Sequence, residues 1–133
     1  MTKRGLLLIG HGSRTGDSAA VLRKTATLMM EKTNCRIFPA FLEFDLPSVT
    51  DAINAVKRTD VEEVVAVPML LARGTHTEKT IPELLGMAPG KKEGELLFDD
   101  GRIVQIRCAD PIGADTVLAD ILLSRAEAVT FRS

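Results

Sequence analysis

The hydrophobic positions of this chain alternate between short continuous runs and positions spaced three or four residues apart. Continuous runs lie at 4–10 and 62–71, and the segments 36–43 and 103–108 are also interpreted as strands. Uninterrupted apolar runs of this length are typical of strands that are buried on both faces of a parallel sheet. The sequence therefore predicts four β-strands.

In the intervals between these strands, apolar residues recur three or four positions apart. This spacing puts them on one face of a helix. Helices are predicted at 17–32, from Pro47 onward, at 80–86 and at 115–129. The third begins with a capping-box pattern, Thr80 to Glu83, and ends at Gly86. The predicted core-facing residues are Ala19, Leu22, Ala26 and Met29 in the first helix, Val49, Ile53 and Val56 in the second, and Val117, Ile121 and Leu122 in the last.

Strands that alternate with helices predict right-handed crossovers and an α/β fold. We expect a flavodoxin-like domain over residues 1–133: a four-stranded parallel sheet, in the order 2-1-3-4, with helices on both faces. The segment 87–101 is glycine-rich, polar and too long for a tight turn, and it is predicted to be a surface excursion.

Composition narrows the class of protein. Hydrophobic residues make up 45% and charged residues 26%, as in soluble globular proteins. A net charge of −1 disfavours nucleic acid or an anionic membrane as a partner. With no apolar stretch of 18 residues and no signal-peptide pattern, we expect a cytoplasmic protein. Cys35 and Cys108 lack metal or redox spacing and are interpreted as small hydrophobic residues.

The chain has two histidines, and both fall where an open parallel sheet binds its ligands. That place is the crevice beyond the carboxyl ends of the strands, where the strand order reverses. In the order 2-1-3-4 it lies between strands one and three, and His11 and His76 follow these two strands. Imidazole serves both as a metal ligand and as a proton acceptor, since its reference pKa is about 6.5. The alternative is that each histidine only caps a turn.

The loops around both histidines carry groups that bind anions. Glycines beside His11 permit close approach of a ligand, and the next helix begins with free N–H groups. Ser13, Arg14 and Arg73 add donors. A histidine after a strand also occurs in histidine phosphatases, where an arginine precedes it and helps to bind phosphate. In this chain Gly10 takes the place of that arginine, which disfavours phosphoryl transfer.

Four segments together resemble the small, single-domain sirohydrochlorin chelatases, the cobaltochelatases and nickelochelatases of class II. They are LIGHGSR at 8–14, FLEF at 41–44 before Pro47, VPMLLARGTH at 67–76 and DPIGAD at 110–115. The resemblance covers nearly the whole chain and leaves out only 87–101.

This resemblance implies that the chain inserts Co²⁺ or Ni²⁺ into sirohydrochlorin, in cobalamin or nickel-tetrapyrrole biosynthesis, without a permanently bound cofactor. Insertion of Fe²⁺ for siroheme is one alternative, and a non-catalytic tetrapyrrole or metal-binding protein is another. The family's metal-binding and catalytic residues match His11 and His76. Implied substrate contacts are Leu46, Leu71, Ala72, Arg73, Gly74, Thr75 and His76, with Ser13 and Arg14 as further donors to the substrate carboxylates.

Chain length also bears on assembly. A domain of 133 residues is too small to enclose a macrocycle with eight carboxylates and can cover only part of it. Longer chelatases of this class resemble two such domains joined. We therefore expect a homodimer.

Overall fold

The computed structural model describes residues 2–131. Its elements, in chain order, are β1 (Arg4–Gly10), α1 (Asp17–Met30), β2 (Arg36–Phe41), α2 (Val49–Val56), β3 (Glu63–Pro68), a π turn (His76–Thr80), α3 (Ile81–Leu84), β4 (Glu93–Leu97), β5 (Ile103–Cys108) and α4 (Thr116–Glu127).

The sheet has the order β2-β1-β3-β5-β4. β1 pairs in parallel with β2 and β3, and β3 pairs in parallel with β5. The predicted α/β class is confirmed, and so is the reversal of strand order between β1 and β3. The prediction of four strands was wrong, because β4 adds a fifth strand that runs antiparallel to β5.

The fifth strand lies in the segment predicted to be a surface excursion, 87–101. Only one residue within the strand, Leu96, is buried, so no continuous apolar run marks it. Met87 before β4 and Phe98 after it are also buried. The segment thus contributes three buried side chains to the core despite its polar composition.

Two apolar layers pack on opposite faces of the sheet. α1 covers one face with the residues that the helical spacing predicts, Ala19, Leu22 and Ala26. α2 and α3 cover the other face, where Val49, Ile53 and Val56 are buried as predicted. Helices therefore lie on both faces of the sheet.

The last helix departs from the prediction that it packs on the sheet. Val117, Ile121 and Leu122 are 64%, 45% and 61% exposed, and α4 buries no residue. The reason lies in the loop before α4, where the Ile112 N–H donates to the Leu70 carbonyl and the Gly113 N–H donates to the Leu71 carbonyl. These bonds hold the chain at the carboxyl edge of the sheet, so α4 starts beyond that edge.

Smaller differences concern helix starts. α2 begins at Val49 instead of Pro47, because the Ser48 hydroxyl caps it by accepting from the Asp51 N–H. The capping box predicted at Thr80 is wrong, since the Thr80 side chain caps nothing and lies within the π turn. No helix within residues 2–131 has the length and apolar character to cross a membrane.

Candidate functional site

The two histidines meet at the crevice between β1 and β3. His11 follows the last residue of β1, and His76 opens the π turn that comes after β3. Their ring centroids are 5.1 Å apart, with the ring planes inclined by 58°. Beside them, a cavity of about 290 Å³ lies between the end of β1, α1 and the loop after β3. The loops after β1 and β3, which the strand order predicts to flank the crevice, therefore do bring their histidines together.

Hydrogen bonds between neighbouring loops position His11. The Leu42 N–H donates to the Gly10 carbonyl and the Glu43 N–H donates to the His11 carbonyl, both at 2.9 Å. This close approach requires glycine at position 12, where a Cβ would lie 1.9 Å from the Glu43 carbonyl oxygen and φ is +89°. The loop after β1 is thereby held against the loop after β2.

The two nitrogens of the His11 ring have different surroundings. Nδ1 lies 3.1 Å from the Gly12 carbonyl, which only accepts, so Nδ1 carries the proton. Nε2 then has the free lone pair and lies 3.6 Å from the Glu43 carboxylate. This nitrogen is available both to a metal ion and to a proton.

His76 is held differently, because its Nδ1 is buried without a hydrogen-bond partner among residues 2–131. The next residue, Thr77, is 4% exposed, and its hydroxyl accepts from the Gly74 N–H at 2.9 Å. The main chain of the turn therefore sets the position of the His76 ring beside that of His11.

An ionic network surrounds the π turn. Arg73 lies 3.0 Å from the Asp110 carboxylate and 3.5 Å from that of Glu78, while the Lys92 ammonium lies 3.1 Å from Glu78. The hydrogen bond from Lys92 holds the pKa of Glu78 below its ordinary value. Arg73, predicted as a donor to substrate, is thus already paired within the protein.

The other predicted contact residues lie around the same crevice loops. The Ser13 N–H donates to the Asp45 carboxylate, and the Ser13 hydroxyl accepts from the Ser18 N–H at the start of α1. The Arg14 guanidinium lies 5.3 Å from the Phe44 ring centroid. Seven members of the predicted set are exposed: Arg14, Leu46, Leu71, Ala72, Arg73, Gly74 and Thr75.

Sequence reasoning assigned no role to two neighbours of His11. Glu43 brings its carboxylate to His11 Nε2, and the half-exposed Phe44 ring lies 6.2 Å from the His11 ring. Both follow β2, which lies beside β1 in the predicted strand order. An acidic residue just after the neighbouring strand was therefore a usable signal. Within residues 2–131, no group of three or more His, Cys, Asp or Glu side chains is arranged to hold a metal ion.

Comparison with known proteins places these features in context. The family model described as CbiX matches residues 5–129. The sirohydrochlorin cobaltochelatase of Methanococcoides burtonii is 35% identical over 93% of this chain and 95% of its own. That of Methanothermobacter thermautotrophicus is 32% identical over 94% and 92%.

Among solved structures, the sirohydrochlorin chelatase SirB from Bacillus subtilis subspecies spizizenii, in complex with cobalt, has a similar fold. It superposes with a TM-score of 0.79 at 21% identity, over 96% of this chain and 51% of the SirB chain. The present chain thus matches about half the length of that protein.

Proposed function

This chain belongs to the CbiX family, and from that premise we propose that it is a sirohydrochlorin chelatase that inserts Co²⁺ or Ni²⁺ as the substrate metal. The observation that carries the proposal is the pair of imidazoles, 5.1 Å apart across the crevice between β1 and β3. Relatives named sirohydrochlorin cobaltochelatase are 32–35% identical over more than nine-tenths of the chain.

Metal insertion makes two demands on a protein site. Two pyrrole N–H protons must leave as the divalent ion enters, and the ion must be held by few enough ligands that the macrocycle can take it over. His11 and His76 supply two neutral nitrogen ligands that suit cobalt and nickel. In our proposal Nε2 of His11 accepts one pyrrole proton once the metal ion has passed from it to the macrocycle, and the other proton leaves to solvent water. The Glu43 carboxylate, 3.6 Å from Nε2, stabilises the imidazolium that results.

The macrocycle would bind over the exposed apolar side chains at the rim of the crevice. Phe44 is 54% exposed, Leu46 72% and Leu71 63%. These side chains offer an apolar surface to a flat ring, and the N-terminus of α1 offers N–H groups to its carboxylates. Arg14 lies over Phe44 and forms no ion pair within residues 2–131, so we assign it a substrate carboxylate. Arg73 would instead position the π turn through Glu78 and Asp110.

Turnover measurements test this function. Purified protein is mixed with sirohydrochlorin and with Co²⁺, Ni²⁺ or Fe²⁺ in turn, and insertion is followed by the visible spectrum. We expect catalytic turnover above the non-enzymatic rate with Co²⁺ or Ni²⁺. A preference for Fe²⁺ would make the chain a ferrochelatase for siroheme, and stoichiometric binding without turnover would make it a carrier.

We also propose that the working unit is a homodimer, in which α4 packs on the second copy of the chain. Val117, Ile121 and Leu122 of α4 are all at least 45% exposed, an apolar surface that its own sheet does not cover. The match to half of the longer SirB chain supports a second copy as the partner. Sedimentation equilibrium at micromolar concentration tests this arrangement, and an active monomer would contradict it.

A further inference from the structure

The π turn that carries His76 leaves one main-chain carbonyl without its regular donor. In a π helix each carbonyl accepts from the N–H five residues later. The Ile81 N–H donates to the His76 carbonyl in this register. The next donor in the register would be residue 82, which is proline and has no N–H. The turn therefore cannot satisfy the Thr77 carbonyl from its own main chain.

Lys92 supplies the missing donor from outside the turn. Its ammonium lies 2.6 Å from the Thr77 carbonyl oxygen and 3.1 Å from the Glu78 carboxylate. The Lys92 main chain is itself fixed to the sheet, because its carbonyl accepts from the Cys108 N–H at 2.8 Å. One side chain thus connects the end of β5 to the residue that follows His76.

This link matters because the His76 ring has no anchor at its buried nitrogen. Nδ1 lacks a hydrogen-bond partner among residues 2–131, so the position of Nε2 depends on the main chain of the turn. A shift of the Thr77 carbonyl would carry the adjacent His76 with it. A displacement of a reacting group by about 1 Å can lower the reaction rate about 10²-fold.

We propose that Lys92 is a positioning residue for His76: by donating to the Thr77 carbonyl that Pro82 leaves without a partner, it fixes the π turn and holds the His76 ring beside that of His11. The part of this proposal that concerns metal insertion rests on the proposed function. The part that concerns the geometry of His76 does not.

Three variants test the role of Lys92. Lys92→Met keeps the length of the side chain but removes the donor, and Lys92→Arg keeps a donor. The adjacent exposed Lys91, whose side chain makes no hydrogen bond within the described part of the chain, provides the control Lys91→Met. Circular dichroism and thermal melting establish that each variant is folded at the assay temperature.

The first readout is independent of activity. NMR spectra of the imidazole ring, assigned with His76→Gln, should show shifted or broadened His76 signals in Lys92→Met and nearly wild-type signals in Lys92→Arg and Lys91→Met. Unchanged His76 signals in Lys92→Met would overturn the proposal, whether or not the protein proves to be a chelatase.

The second readout is kinetic and applies once insertion is established. We expect kcat of Lys92→Met to fall about 10-fold or more, since misplacement of a reacting group lowers the rate of the chemical step. KM for sirohydrochlorin should stay within about 2-fold, because substrate binding spreads over the rim of the crevice. Lys92→Arg should recover most of the loss. An equal loss in Lys91→Met, or a change confined to KM, would contradict a positioning role.

Discussion

At His11 and His76, the proposed chemistry depends on two imidazole rings that reach one crevice from different loops. Replacing either with alanine removes a metal ligand and, at His11, the proposed proton acceptor. We expect kcat/KM for metal insertion to fall by about 10²-fold or more in each variant. Cys35→Ser, away from the crevice, is the control and should retain the wild-type rate. Near wild-type insertion by His76→Ala would remove that residue from the site.

Gly12 illustrates how a single residue connects the site to the fold. A Cβ at position 12 would lie 1.9 Å from the Glu43 carbonyl oxygen, whereas a Cβ at Gly16, which also has positive φ, would meet nothing within 4 Å. Gly16→Ala should therefore cost only the backbone strain, about 1 kcal/mol. Gly12→Ala adds a clash with main chain and should cost about 3 kcal/mol or more. Urea denaturation measures both, and equal losses would show that the loops separate freely.

Part of the candidate site could be predicted from the sequence at this scale. The positions of His11 and His76 follow from strand order and from where each strand ends, which an apolar run reveals. Glu43 and Lys92 act through contacts between loops distant in sequence. The place of Glu43 just after the strand beside β1 was a usable signal, whereas residue type and spacing do not specify the contact of Lys92 with the π turn.

Among the elements, the continuous runs predicted the strands well and the charged edge strand poorly. β1 and β5 have the predicted bounds. β1 is a continuous apolar run, whereas buried and exposed residues alternate along β5, as in a half-buried strand. β4 is half exposed and includes Glu93, Gly94 and Glu95, so its pattern is that of a loop. The π turn escaped prediction for a related reason, because the donor that completes it, Lys92, belongs to another element.

The hairpin of β4 and β5 is joined to the rest of the fold by Arg102. Its guanidinium donates to the Val61 and Thr59 carbonyls at 2.8 and 2.9 Å and to the Asp100 carboxylate at 2.7 Å. Arg102→Ala should lower the free energy of unfolding by about 2 kcal/mol, since it leaves two carbonyls without donors. Arg58→Ala, an exposed residue of the same region, should change it by less than about 0.5 kcal/mol. Similar losses in the two variants would contradict this role.

The same contact predicts a dependence of stability on pH. The hydrogen bond from Arg102 holds the pKa of Asp100 below its ordinary value. A carboxyl with a lowered pKa in the folded state stabilises the fold above its unfolded pKa, and this contribution disappears as pH falls through the folded pKa. Asp100→Asn should therefore melt below the wild type at pH 7, and the difference in Tm should shrink below about pH 4. Asp99→Asn is the control, and a difference in Tm for Asp100→Asn that did not change with pH would contradict the argument.

For the whole molecule, α4 is the element whose exposed apolar side chains are not covered by any other part of the described chain. Its apolar positions repeat at helical spacing, which predicts that they pack against the core. That pattern indicates burial but does not specify whether the covering surface belongs to the same chain. The exposed Val117, Ile121 and Leu122 keep the periodicity of a packed helix, and a second copy supplies the missing surface in the proposed dimer.

The proposed dimer makes α4 a target for a charge substitution that spares the fold of each subunit. Ile121→Glu places a carboxylate in the proposed interface, where burial without a partner is costly. The same residue introduced by Ala119→Glu lies away from the face formed by Val117, Ile121 and Leu122, and serves as the control. We expect Ile121→Glu to sediment as a monomer, with the dissociation constant raised by about 10²-fold or more, and Ala119→Glu to remain dimeric. Because dimerisation stabilises the folded state by mass action, Tm should rise with protein concentration in the control and stay constant in Ile121→Glu. A wild type whose Tm is independent of concentration, and which sediments as a monomer while inserting metal at its full rate, would place the whole site within one chain.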